Sequence, residues 1–502
     1  MDYLVNRVYE IASKHPNKEA VIFKNETLTY RDLCLKMEAI ASFLDEKKVE
    51  KKSNICFLAV SKPEMVVGYL GILLYGSVAV YLDKNGTEES INHIFKETEG
   101  KLLFSDKKFD FLQDSDKAYS LKAVLSEYEE NELVHPSYSP KEDEVCEMLF
   151  TTGTTSKPKG VVHTYSSIDS IIQNTIRGAN VTEDVRMLLP LPLHHSFALR
   201  VLRAVLYQGG TLVLQNGFTI AKNLEENILL HKCNAMACVP ASYEVIKSQM
   251  KDKFRDVFSQ LNYIEFGAGS LNRKQRLEIT NLLPNVLILN TWGSSETGGV
   301  IFGNVNELVK DETTISALGK VVSDTEIRIK NDRMCLSGKM LMKEYFHNEA
   351  LTKETILEED HKRWLLTGDS ISIDEKGYIF MQGRADDIIN VGGEKVSPVE
   401  VVEVASLYEG IKECACAGVN DDLMGQAPVL FVVKKSGYEE EELIRFLSKK
   451  LERFKLPAAY IYLDELPRNT MAKIDKKQLL KNYYQKEEGQ IIQRKESVIH
   501  YI

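Results

Sequence analysis

A chain of 502 residues exceeds what one hydrophobic core serves, so at least two domains are expected, and 44% apolar with 27% charged residues is the composition of a soluble globular protein. A formal net charge of −10 argues against a nucleic-acid surface, while leaving room for a small anionic ligand held by a few placed lysines and arginines. The eight cysteines form no CxxC pair and read as reduced core thiols, and Met1-Asp2-Tyr3-Leu4-Val5-Asn6-Arg7 lacks a signal-peptide core, so a cytoplasmic protein is expected.

In chain order, the pattern predicts a helix from Leu4 to about Lys14, a hairpin from Ala20 to Thr29, a helix from Tyr30 to about Lys47 and a strand at Asn54 to Leu58. Met65 to Leu82 is almost continuously apolar, but Gly68, Gly71, Gly76 and Ser77 interrupt it. A buried helix turning at Gly76 into a buried parallel strand is expected there rather than a membrane span. Short apolar strands at Thr211 to Leu214, Ala235 to Val239 and Asn285 to Asn290 each adjoin a helix. Such alternation indicates doubly wound α/β layers, whose ligands sit at the carboxyl ends of strands. From about Gly319 the texture changes to short strands and turns. Beyond Gly383-Arg384-Ala385-Asp386-Asp387 comes a compact α+β unit, with helices expected at Pro398 to Leu407 and Glu440 to Phe454 and strands at Cys414 to Gly418, Val429 to Val433 and Tyr460 to Leu463. The charged run from Lys481 to Lys495 reads as a solvated tail.

One decapeptide carries chemistry on composition alone: Thr151-Thr152-Gly153-Thr154-Thr155-Ser156-Lys157-Pro158-Lys159-Gly160. Hydroxyls, lysines and glycines that let backbone N–H groups approach a ligand make a donor-rich cationic loop suited to polyphosphate. It is not a P-loop, because Pro158 stands where that motif needs its second glycine. The order of residues resembles the phosphate-binding signature of the adenylate-forming enzymes, the superfamily of acyl-CoA synthetases, firefly luciferase and adenylation domains. Thr152 keeps a hydroxyl where the signature has serine, and Ser156 replaces a glycine.

Five further segments match that superfamily in order. Asn290-Thr291-Trp292-Gly293-Ser294-Ser295-Glu296 resembles its Tyr-Gly-x-Thr-Glu segment. There the ring of Trp292 can stack on adenine, the Ser295 hydroxyl can meet the α-phosphate, and Glu296, with Thr152, is the Mg²⁺ position. Gly267-Ala268-Gly269 resembles the small-residue segment lining adenine and the acyl pocket, and Asp369 of Leu366-Thr367-Gly368-Asp369 can hold both ribose hydroxyls, with Arg384 near the same sugar or the phosphates. Pro467 to Asp475 matches the terminal Pro-x4-Gly-Lys-Ile motif with Ala472 at the glycine, which makes Lys473 the implied catalytic lysine of adenylation. Leu191-Pro192-Leu193-His194-His195 puts His195 at the motif histidine of the acyl-pocket wall. A metal site at the two histidines is disfavoured because neighbours on an extended chain point to opposite sides.

The resemblance implies a large N-terminal domain over residues 1–385 with doubly wound sheets and a β-rich subdomain, a small mobile α+β domain over 386–480 hinged at Asp386, and a tail over 481–502. The implied activity is attack of a carboxylate on the α-phosphorus of Mg·ATP, then transfer of the acyl group to coenzyme A. Gly392 and Gly393, in Val391-Gly392-Gly393-Glu394-Lys395, would line the pantetheine channel, and Gly-Gly-Glu-x-Val-x-Pro resembles acyl- and aryl-CoA ligases more than peptide-synthetase modules. About thirty residues follow Lys473, too few for a carrier domain, and Ala198 stands near the place where amino-acid-activating domains keep an aspartate. A fatty or aromatic acid is therefore the expected substrate. Loading of a separate acyl carrier protein is the alternative, and a weakened nucleotide-binding protein, given Ser156 and Ala472, is the third reading.

Overall fold

The computed structural model describes residues 3–112, 116–128, 138–151, 158–218, 220–269, 271–322, 324–421, 423–468 and 474–489. Two large sheets organise the first part of the chain. A nine-stranded sheet runs in the order Lys320–Val321, Gly298–Asn304, Leu287–Ser294, Tyr263–Phe266, Ala235–Cys238, Arg186–Leu189, Thr211–Leu214, Glu19–Phe23, Glu26–Thr29. A seven-stranded sheet runs Glu344–Tyr345, Lys159–Thr164, Val145–Thr151, Val78–Asp83, Asn54–Ala59, Leu102–Phe104, Ala118–Tyr119.

The strands are apolar on both faces, and alternate residues go to different cores as a period of two requires. Val21, Leu212 and Leu214 of the first sheet and Ile55, Phe57 and Tyr81 of the second join one central cluster. Ile22 and Val213 enter a separate cluster, and Cys56 and Leu58 a third, so each sheet is covered on its outer face as well. The helices Pro63–Tyr75 and Ser196–Gln208 are almost wholly buried, the mark of elements enclosed by sheets rather than laid on a surface. Gly76 caps the first of them in the left-handed conformation at φ 85° and the chain resumes as the strand Val78–Asp83, as the sequence predicts. Among the described residues no helix is long and apolar enough to cross a membrane.

A four-stranded sheet (Glu326–Lys330, Arg333–Ser337, Lys362–Leu366, Ile356–Glu359) and the hairpin Asp369–Ile373 with Ile379–Arg384 follow, which is the β-rich texture expected after Gly319. The last unit is a five-stranded sheet whose longest pair, Ile411–Asp421 and Gly425–Lys434, puts Cys414 and Cys416 into one core and Ala415 and Ala417 into another.

The structure differs from the sequence reading in two places here. The helix predicted to reach Phe454 ends at Ser448, because the apolar spacing of Leu443, Leu447 and Leu451 persists past the helix into a turn. A helix from Lys476 to Gly489 crosses residue 481, where a solvated tail was expected, because Leu479 and Tyr483 are buried in the core of the small unit. The turn Ala385–Asp387 joins the two units, with Asp386 accepting from Arg333 at 3.0 Å and Asp387 from Lys476 at 2.8 Å.

Candidate active site

The ends of the decapeptide lie on two paired strands. Thr151 and Lys159 pair across the antiparallel strands Val145–Thr151 and Lys159–Thr164, while Thr152, Gly153, Thr154, Thr155, Ser156 and Lys157 lie outside the described residues. Lys159 Nζ sits 5.9 Å from the centre of the Tyr345 ring, and the Tyr345 hydroxyl donates to Glu296 Oε1 at 2.8 Å. Burial, and then the Glu296 anion, push the phenol far above its ordinary range, so it stays a proton donor to the carboxylate.

Glu296 stands at the tip of a second hairpin, between Leu287–Ser294 and Gly298–Asn304. The Ser294 hydroxyl accepts from the Glu296 N–H at 3.2 Å, and the Ser295 hydroxyl approaches Ser196 Oγ at 3.5 Å, so the turn meets the start of the helix that His195 caps. Within the same strand, the Trp292 indole N–H donates to Asp369 Oδ2 at 3.0 Å, which fixes the ring edge, and Arg384 Nη1 reaches Asp369 Oδ1 at 3.1 Å. Asp369 and Arg384 are register partners across their hairpin. A carboxylate offers about four acceptor sites, so two remain for a pair of sugar hydroxyls. A Cβ on Gly368 would fall 2.0 Å from Arg384 Nη2, so a side chain there would push the guanidinium away from its place beside Asp369.

Asn290 donates through Nδ2 to the Leu318 carbonyl at 3.1 Å, and its Oδ1 is buried without a hydrogen-bond partner among the described residues. An acceptor in that state suits an exocyclic amine. Ala268, between Gly267 and Gly269 beyond the strand Tyr263–Phe266, has φ 59°, and a Cβ on Gly267 would meet the Phe197 ring at 2.9 Å. Gly293 is equally confined, its Cβ position lying 2.2 Å from the Gly298 carbonyl oxygen.

The two histidines correct one expectation. Their rings lie 4.1 Å apart, on the same side, because the chain turns at residues 193–194, where the His195 N–H donates to the Pro192 carbonyl at 3.2 Å, just before the helix begins. His194 Nε2 lies 3.6 Å from Asp83 Oδ1, and burial lowers the pKa of the His194 ring. Gly392 and Gly393, at φ 61° and 98°, form the two-residue turn between Ile389–Val391 and Glu394–Val396, a conformation in which glycine has no Cβ penalty. Lys473 lies outside the described residues; Arg468 and Ile474 pair on either side of it.

Sequence reasoning missed Tyr345 and His163. Neither stands in a quoted motif, and only the burial of a polar residue just after the decapeptide could have drawn attention to His163. Its Nε2 lies 2.7 Å from the Ser295 carbonyl, to which it donates, and its Nδ1 lies 3.0 Å from Ser167 Oγ. Burial pushes the ring pKa down from 6.5 to about 4. The unfolded chain therefore takes up a proton in that window which the folded chain refuses. The contribution to stability is full above pH 6.5 and declines as pH falls toward 4, by at most about 3 kcal/mol. His163→Gln, which keeps a donor for Ser295, is expected to lose this part of the pH dependence of the urea midpoint. Equal slopes in the two proteins would refute the assignment.

A family profile described as AMP-binding enzyme matches residues 8–346, and one described as AMP-binding enzyme C-terminal domain matches 400–473. The chain belongs to the AMP-binding enzyme family. This AMP-binding enzyme is similar to 2-succinylbenzoate--CoA ligase of Bacillus cereus, 25% identical over 493 residues, with 95% of this chain and 98% of the relative covered. In fold it is similar to an anthranilate CoA ligase, AuaEII, solved with anthranoyl-AMP (TM-score 0.84, 21% identity, 96% and 97% of the two chains). It is likewise similar to the O-succinylbenzoate coenzyme A synthetase of Bacillus subtilis solved with ATP and magnesium ion (TM-score 0.80, 23% identity, 95% and 99%).

Proposed function

We propose that this AMP-binding enzyme is an AMP-forming acid–thiol ligase of the cytoplasm that activates an aromatic or fatty carboxylic acid with ATP and passes the acyl group to coenzyme A. The observation that carries the reading is the contact of Lys159 with Tyr345 and of Tyr345 with Glu296, joined along one hairpin to the contacts of Trp292 with Asp369 and of Asp369 with Arg384, which gathers four distant segments into one donor- and acceptor-lined site. The names of the relatives, which are aryl-CoA ligases, support the same reading.

In the first half-reaction a carboxylate oxygen of the acid attacks the α-phosphorus of ATP, the bond to the bridging oxygen of pyrophosphate breaks, and an acyl-adenylate forms. The decapeptide and Lys159 hold the phosphates, Trp292 and Asn290 hold the base, and Asp369 with Arg384 holds the sugar. Lys473 supplies an ammonium against the charge that gathers on the reacting oxygens. Glu296 is a half-buried carboxylate whose described donor is one neutral phenol, which suits a hard cation, and with Thr152 it would hold Mg²⁺. Bound there, the ion would neutralise phosphate oxygens. In the second half-reaction the thiol of coenzyme A attacks the acyl carbonyl and AMP leaves, with the small domain turned about Asp386 so that Gly392 and Gly393 face the site. Most of the rate then comes from positioning and preorganised charge.

Carboxylate-dependent exchange of label between pyrophosphate and ATP tests the first half. Silence across a broad panel of acids would sink the enzyme reading. AMP release that depends on free coenzyme A is the expected result for the second half; release only with an added acyl carrier protein would establish the alternative acceptor.

A further inference from the structure

One buried ion pair lies against the segments assigned to the acid. Arg200, one turn into the helix that His195 caps, is 4% exposed at its side chain, and its Nη2 donates to Glu265 Oε1 at 2.6 Å. The Thr291 hydroxyl donates to the same oxygen at 2.8 Å. The guanidinium carbon lies 4.7 Å from the Phe197 ring centre and 5.6 Å from that of Phe302. The cluster touches Gly267, of the small-residue segment, on one side and Gly299, in the hairpin that carries Glu296, on the other. A Cβ on Gly267 would strike Phe197, and one on Gly299 would lie 2.9 Å from Arg200 Nε. Arg200 Nη1 is buried and donates to nothing among the described residues.

A pocket for an alkyl chain needs an apolar floor, and a buried pair brings no stability that well-packed apolar residues would not match. A charged donor left without an acceptor is costly, and a ligand oxygen that reaches it recovers the bond. Because Arg200 and Glu265 neutralise each other, a second carboxylate on the ligand would bring an unbalanced charge into a buried place. An uncharged oxygen brings none.

Building on the acid-activating reading, we infer that Arg200 and Glu265 form the floor of the acyl pocket and select a compact acid bearing an uncharged hydrogen-bond acceptor, a hydroxyl, ether or carbonyl oxygen, at the end remote from its carboxylate. Arg200 is thereby a specificity residue, and Glu265 with Thr291 positions it.

The test compares kcat/KM for pyrophosphate exchange in the full-length protein over matched pairs of acids that differ by hydroxyl for methyl. Hydroxybenzoates are set against methylbenzoates, and hydroxylated short aliphatic acids against their methyl counterparts, with benzene dicarboxylates and a long fatty acid alongside. The wild type is expected to favour the hydroxylated member of its best pair by about ten- to a hundredfold. Arg200→Met combined with Glu265→Gln, which leaves no lone charge and keeps an acceptor for Thr291, is expected to level that preference while retaining exchange on the methyl acid. Arg200→Lys, which loses the planar fork, levels it too. The inference is overturned if the wild type treats the pairs alike, if it prefers the dicarboxylates or the fatty acid, or if the double variant keeps the preference. Exchange with no acid at all would instead sink the acid-activating reading itself.

Discussion

A Lys473→Ala variant is expected to lose acid-dependent pyrophosphate exchange by about a hundred- to a thousandfold, the usual cost of removing one preorganised charge from a transition state. Its thermal melt and its affinity for ATP should stay near those of the wild type, because Lys473 is proposed to act only as charge develops. Lys473→Arg should not restore the rate, since a planar guanidinium does not take the place of a compact ammonium. The thioester half-reaction, started from supplied acyl-adenylate and coenzyme A, should keep its rate, because the small domain is proposed to carry Lys473 away from the site by then. Equal losses in both half-reactions would refute that division of labour, and unchanged exchange would remove Lys473 from the mechanism.

The order of layers was legible because its signals are local. The cap at Gly76 and the short apolar strands at Asn54–Ala59 and Thr211–Leu214 are written in adjacent residues. The candidate site was legible at Trp292, Asp369 and Arg384 only through the order of a family pattern, to which the structure adds the contacts between them. Tyr345 and Arg200 were not. Each acts through a partner remote in sequence, 49 residues away for Tyr345 with Glu296 and 65 for Arg200 with Glu265, and no spacing rule spans such a distance. The side-by-side histidines failed for a related reason. A period-two argument needs an extended chain, and the backbone turns there to start a helix.

The largest stability effect is expected at Arg203. Its guanidinium spans the layer between the two large sheets, with Nη2 donating to both Glu147 oxygens at 2.7 and 2.6 Å and Nε to the Tyr69 hydroxyl at 3.0 Å. Tyr69 and Tyr81 donate in turn to Glu147 Oε2 at 3.2 and 3.3 Å. Arg203 and Glu147 are 3% and 0% exposed, so Arg203→Met leaves a carboxylate with no cation and no water, at a cost of about 3–5 kcal/mol. Adding Glu147→Gln removes the stranded charge while keeping an acceptor for the two tyrosines, and most of the loss should be recovered. Both tryptophans, Trp292 and Trp364, precede Asp386, the proposed hinge, so urea unfolding followed by their fluorescence is expected to report on the proposed large domain. A single variant within about 1 kcal/mol of the wild type, well short of the loss of a buried partner, would show that the pair is not what holds the layer. Its position explains why function should follow stability here. Glu147 lies on the strand that ends at Thr151, and Arg203 on the helix that begins after His195. The pair therefore ties the strand that leads to the proposed phosphate segment to the helix that follows the proposed acyl-wall histidine, and a variant that folds without it is expected to bind ATP normally yet exchange pyrophosphate more slowly, because the two reactants are no longer held in register.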